Sequence, residues 1–226
     1  MLKYSKIIDL TIPITTGMDM SPGTKATTPQ VEFEIFRSHE QSNIQLGIYR
    51  TPIHVGTHLD TPLHIFPDGL PMEQVPLNHW MGEAFCVDLH WVKPNHAITA
   101  KDLADNTPEL AEGMILLIHT GWSDKMYGNA EYWSESPFLT PEAAQWMVDK
   151  KVKLGGYDFF QDEGPKALKL DPSSFKVHRI MLANGCYNCE HLTNLGEIAG
   201  KKVFFMALPL SIPGAEGTPT RAVALV

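Results

Sequence analysis

Apolar residues recur along this chain in short runs, not in long helical stripes. IIDLTI at residues 7–12 predicts a strand, and VEFEIF at 31–36 alternates apolar and acidic positions as a half-buried strand does. The apolar runs at 84–89, 114–119 and 203–208 predict buried strands, and the tail RAVALV predicts one more. Helix signals are fewer. Thr99 and Asp102 form a T-x-x-D start for a short helix. Thr140 followed by Pro141 is a cap and first-turn signal for a helix reaching about residue 151. Asp171-Pro172 repeats that signal ahead of SSFKVHRIMLAN, and Gly185 is placed to stop it. Residues 17–30 and 121–137 read as long loops, which are often functional or lie at a subunit contact. The expectation is an α/β fold with more strand than helix.

At 226 residues, without repeats or a low-complexity linker, the chain is expected to form a single domain over residues 1–226. With 43% hydrophobic and 19% charged residues it can build a real core. A net charge of −8 and the lack of any basic run argue against nucleic acid or an anionic membrane surface as partner. The longest apolar stretch, at 203–212, is too short to span a bilayer and holds a proline. The opening residues show no signal-peptide pattern, and the odd, low count of three cysteines fits a reducing compartment, so a cytoplasmic protein is expected. Cys186 and Cys189 form a lone C-x-x-C, read as incidental thiols beside Glu190.

The chemistry is concentrated in HVGTHLDTPLH, residues 54–64, which holds three of the ten histidines and an aspartate. Imidazole and carboxylate are ligands for a divalent transition metal. His54, His58, Asp60 and His64 stand at even offsets, so an extended segment shows them on one side. A helix is disfavoured because Val55, Gly56 and Thr57 are poor helix formers and Pro62 breaks any continuation. His54, His58 and Asp60 make a three-ligand set that leaves a position open for water. His64 is either a fourth ligand or a free imidazole that moves protons. His39, His79, His90, His96 and His119 default to surface or core roles. His178 reads by itself as a core residue of its helix, and Glu190 as a solvated carboxylate in a loop.

The segment resembles the HxGTHxDxPxH signature of the cyclase family of metal-dependent hydrolases, whose branches include kynurenine formamidase-like and isatin hydrolase-like enzymes. The likeness extends to IIDLTIPIT, SPG at residues 21–23, FPDGLPMEQVPLNHWMGEAFCVDL, GYDFFQD, DPSSFKVHRIMLANGCYNCEHLTNL and GTPTRAVAL, nearly the whole chain. It implies a swivelling β/β/α domain with mixed sheets and few helices, usually a homodimer or homotetramer. It also implies His54, His58 and Asp60 as metal ligands and His64 as the catalytic proton carrier. His178 and Glu190 would complete a second metal site, with Asp60 bridging. Two positions depart from the formamidase branch: Met20-Ser21 replace an aromatic before the proline-glycine, and Gln161 stands for a serine. In the relatives both face the substrate.

The expected function is hydrolysis of an amide by metal-activated water. The substrate would be an N-formyl arylamine such as N-formylkynurenine, or a small cyclic amide or imide. The cofactor would be one or two divalent ions, zinc by the affinity order, with manganese as the alternative. The rival readings are a lactone hydrolase or cyclase using the same site, and a metal-binding module without catalysis.

Overall fold

The computed structural model describes residues 4–163 and 174–226. In chain order the strands are β1 (Ile7–Asp9), β2 (Glu32–Arg37), β3 (Leu46–Arg50), β4 (His58–Asp60), β5 (Met81–Asp88), β6 (Ala97–Ile98), β7 (Ile115–His119), β8 (Phe138–Leu139), β9 (Leu154–Tyr157), β10 (Tyr187–Glu190), β11 (Lys202–Leu208), β12 (Gly217–Pro219) and β13 (Arg221–Leu225). The helices are α1 (Pro22–Thr27), α2 (His39–Ser42), α3 (Ala100–Asn106), α4 (Trp122–Met126), α5 (Glu131–Ser134), α6 (Pro141–Asp149) and α7 (Lys176–Ala183). Nine strands form one mixed sheet in the order β1-β13-β11-β5-β7-β9-β10-β4-β12. β5, β7, β9 and β10 run parallel, and the flanking pairs are antiparallel.

Parallel strands are covered on both faces and so read as continuous apolar runs. The alternation of β5 and β7 divides the core accordingly. Phe85, Val87, Leu116 and Ile118 pack with Leu103 of α3, Met147 of α6 and Met181 of α7. Ala84, Cys86, Ile115 and Leu117 point the other way, into a cluster holding Ile8 and Ala224 from one end of the sheet and Leu59 from the other. The sheet therefore curls until its ends meet. Leu10 bridges them, donating its N–H to Ala222 and accepting from Thr193.

The apolar runs predicted as strands appear, with boundaries shifted by a few residues. Thr99 makes the capping box, accepting from the Asp102 N–H at 3.2 Å while Asp102 accepts from the Thr99 N–H at 2.8 Å. Thr140 accepts from Ala143 at 3.2 Å and starts α6 at Pro141. The Asp171-Pro172 cap signal lies outside the described residues; α7 itself runs over Lys176–Ala183.

Other expectations change. The alternating run at 31–36 is a strand but not half-buried, because it pairs only with β3 in a two-stranded ribbon whose Phe33, Ile35 and Tyr49 are exposed. The expected loops at 17–30 and 121–137 contain α1, α4 and α5, held by buried Trp122, Tyr132 and Trp133. Glu190 sits on a buried strand, not in a solvated loop. All three cysteines are buried and unpaired, and burial pushes their thiols up, so they are inert. Among the described residues no helix is long and apolar enough to cross a membrane.

Gly69 closes the turn that carries His64. A β-carbon there would lie 2.4 Å from the Pro62 carbonyl carbon and 2.5 Å from the Leu63 nitrogen, both backbone atoms that cannot swing aside. Gly69→Ala should cost about 2 kcal/mol or more and lower the thermal midpoint by about 4–8 °C in a domain of this size. Differential scanning calorimetry reads this directly. A midpoint shift below about 1 °C would mean that the turn relaxes freely.

Candidate active site

Strand pairing assembles the site. In the antiparallel β4–β10 pair, Glu190 stands opposite His58 and Asn188 opposite Asp60. Opposed residues share a face, and so do residues two apart on a strand. His58, Asp60, Asn188 and Glu190 therefore all project toward α7, while Leu59 and Cys189 enter the opposite core. From α7 comes His178, also buried, as Asp60 and Glu190 are.

The motif is not one straight strand. Only residues 58–60 pair as a strand. A fully extended chain would separate His54 from His64 by about 33 Å, yet their ring centroids are 3.9 Å apart. Gly56 turns the chain before β4 with φ +55°, and the Pro62–His64 3-10 turn folds it back afterwards. The four predicted residues converge through these reversals.

The imidazoles are oriented from behind. His58 Nδ1 donates to the Gly56 carbonyl at 2.9 Å, so its Nε2 faces Asp60 Oδ1 at 3.5 Å and Glu190 Oε2 at 3.4 Å. His178 Nδ1 is 2.5 Å from Asp162 Oδ2, and its Nε2 is 2.8 Å from Glu190 Oε1 and 3.5 Å from Asp60 Oδ2. His54 Nδ1 lies 2.9 Å from Asp60 Oδ1. Its buried Nε2 makes no hydrogen bond, although Glu216 Oε1 is 3.4 Å away in poor alignment. Such fixing of the far nitrogen is what orients a metal-ligating histidine.

Two buried carboxylates facing imidazole nitrogens make a cation-seeking centre, because unpaired buried anions are costly. Protons supply that positive charge in the metal-free protein. Burial opposes a charged His54, but the hydrogen bond to Asp60, the nearby Glu216 carboxylate and the charges of Asp60 and Glu190 outweigh it and raise the group to about 9. His178 is likewise raised, as Glu190 and Asp162 overcome its burial. Asp60 is held well below the usual carboxylate range by His58, His178 and His54 despite its burial. His64 goes the other way, pushed down to about 4 by burial and by the charge of His54.

Among the described residues three groups have ligand atoms within 4.8 Å of one another: His54, His58 and Asp60; Asp60, His178 and Glu190; and His58, Glu190 and His191. The donor set and the buried, unpartnered His54 Nε2 fit a divalent ion. All five sequence-predicted ligands fall in the first two groups, with Asp60 common to both, and His64 belongs to none.

The centre lies at the base of a cleft enclosing about 510 Å³, its open mouth included. His64, Ser21 and Thr24 line it, and Trp133, Phe160 and Phe175 form an aromatic wall. The two departures noted in the sequence fall elsewhere than expected. Met20 is buried with Ile12, Met18, Val31 and Val55, and only Ser21 reaches the cleft. Gln161 stands behind the centre and donates Nε2 to Glu190 Oε1 at 2.6 Å. Sequence reasoning missed His191, Asp162, Glu216 and Trp133. For His191 the adjacent Glu190 was a usable signal; the other three carry none, because only long-range folding brings them in.

Comparison with known proteins agrees. A family model described as putative cyclase matches residues 8–163. A kynurenine formamidase of Bacillus cytotoxicus is 28% identical over 224 residues, covering 98% of each chain. A solved structure described as a potential metal-dependent hydrolase with cyclase activity superposes with a TM-score of 0.74 at 25% identity, covering 97% of this chain and 96% of the other. Isatin hydrolase A from Labrenzia aggregata, bound to benzyl benzoate, shares the fold with a TM-score of 0.85 at 21% identity, over 98% of this chain and 93% of its own.

Proposed function

The chain belongs to the putative cyclase family, and from that premise we propose that it is a metal-dependent hydrolase cleaving the carbon–nitrogen bond of an N-formyl arylamine or a small cyclic amide. The observation that carries this reading is the convergence of His54, His58, Asp60, His178 and Glu190 beneath an aromatic-walled cleft. The formamidase relatives support a formyl substrate. Trp133 offers an aryl ring the partner that Met20 does not.

His54, His58 and Asp60 would hold one divalent ion, and Asp60, His178 and Glu190 a second. When bound, such an ion polarises a carbonyl oxygen and lowers the pKa of water from about 16 toward about 7. Zinc is the proposed ion because imidazole–carboxylate sets bind it more tightly than manganese. His64 acts as the proton carrier: it faces the cleft, takes the proton of the attacking water and returns it to the leaving nitrogen. Asp162 fixes the His178 ring, and Gln161 fixes Glu190.

One domain over residues 1–226 would carry the whole activity, in the reducing cytoplasm that the three free thiols suit. Self-association into a homodimer or homotetramer is supported by the β2–β3 ribbon, whose Phe33, Ile35, Phe36 and Tyr49 stand exposed in one region.

The test is a screen of the purified protein with added zinc or manganese against formanilides, small cyclic imides and lactones. Metal-dependent turnover of a formanilide or cyclic imide is expected. Turnover of lactones alone would favour the ester-opening rival, and no metal-dependent turnover of any of them would favour a binding module.

A further inference from the structure

His191 has no part in the His-Asp motif, yet three observations place it with the ligands. The first is its ring. Nδ1 lies 2.8 Å from the Tyr132 hydroxyl and Nε2 lies 3.5 Å from Glu190 Oε2. His58 and His178 show the same arrangement, with Nδ1 fixed from behind and Nε2 turned to a Glu190 oxygen at 3.4 and 2.8 Å. The second is its exposure to the cleft. His191 lines it, with its ring centroid 5.0 Å from that of Trp133 in a T-shaped contact, although the residue is almost wholly buried. Its 3.5 Å approach to Glu190 is longer than a good hydrogen bond, so that contact alone does not explain the ring's direction. The third is its backbone. His191 has φ +54°, a conformation side chains other than glycine adopt at a cost, and such strain gathers at functional sites. The Thr57 hydroxyl, inside the His-Asp motif, donates to its carbonyl at 2.6 Å and ties that strained residue to the segment entering β4.

We propose that His191 is a sixth metal-ligating side chain, binding through Nε2 the same divalent cation that His58 Nε2 would hold, with Glu190 Oε2 beside them. The inference rests on the metal-centre reading above and extends it. The Tyr132 hydroxyl accepts from Nδ1 and fixes the ring, as the Gly56 carbonyl does for His58. Ser123 completes the chain: its hydroxyl donates to the Asp158 carbonyl at 2.7 Å and is free to accept from Tyr132 at 3.2 Å.

The test uses the full chain loaded with cobalt(II). Affinity is read by competition with a chromogenic chelator, and ligating imidazoles are counted from hyperfine-shifted N–H resonances in the proton NMR spectrum. His191→Asn suits the positive φ and removes the imidazole. It should weaken cobalt binding about 10–100-fold and remove one shifted resonance. Tyr132→Phe leaves the imidazole in place and should weaken binding about tenfold while keeping the resonance count; it serves as the independent variant if His191→Asn fails to fold. Unchanged affinity in both variants, or an unchanged resonance count in His191→Asn, overturns the proposal and leaves the five-residue centre standing. A wild-type protein that takes up no cobalt overturns the metal reading itself.

Discussion

His64→Ala is expected to lower turnover of the amide substrate by about 10²–10⁴-fold, the usual contribution of a positioned proton carrier, with metal content unchanged. Two features of the cleft argue for this separation. His64 belongs to none of the groups whose atoms converge to hold an ion. Among the described residues it is also the cleft imidazole without a carboxylate ion pair, whereas His54, His58, His178 and His191 each face Asp60, Asp162 or Glu190. An unpaired imidazole is free to accept a proton and give it up again. Its ring centroid lies 3.9 Å from that of His54, with the planes tilted by 34°, so it stays within reach of the centre without joining it. Elemental analysis alongside steady-state kinetics reads both halves of the prediction. Full turnover in the variant would remove His64 from the mechanism, and loss of metal would make it a ligand.

Asp60→Ala is expected to weaken metal binding by more than about tenfold and to lower the metal retained on purification, because losing even an outer partner of a metal site costs about 10–100-fold in affinity. Asp60 is the one residue common to the His54–His58 and His178–Glu190 groups. Its oxygens lie 2.9 Å from His54 and 3.5 Å from both His58 and His178. Its removal leaves imidazoles without the anion that draws them together, so both groups lose a ligand at once. His54→Ala and Glu190→Ala each break one of these two groups and should leave more metal behind. Inductively coupled plasma analysis after gel filtration decides the ranking, and equal metal content in Asp60→Ala and wild type would contradict the shared-ligand geometry.

The sequence made some of this site legible and not the rest, for physical reasons. His54, His58, Asp60 and His64 are close in the chain, so their types and spacing advertise a metal centre before any folding is known. Their actual convergence depends on a glycine turn and a 3-10 turn, which a simple extended-segment reading does not contain. His178 and Glu190 became visible through family resemblance alone. By local pattern the first is a core position on an amphipathic helix, and the second becomes buried only because β10 pairs with β4 across 132 positions of sequence between Glu190 and His58. Trp133 was hidden in a segment read as loop, since helices of four or five residues leave little periodic signal. The parallel strands were easier to place, because burial on both faces writes itself as unbroken apolar runs.

A divalent ion held by these side chains should be required for amide hydrolysis. The most direct test of this requirement is the hydrolysis rate of one formanilide or cyclic imide substrate, measured on the protein as purified, after exhaustive chelation, and after adding back zinc or manganese. Activity should be lost on chelation and recovered with one of the two ions. A chelated protein free of metal by elemental analysis that still turns over the amide at the original rate would contradict that requirement.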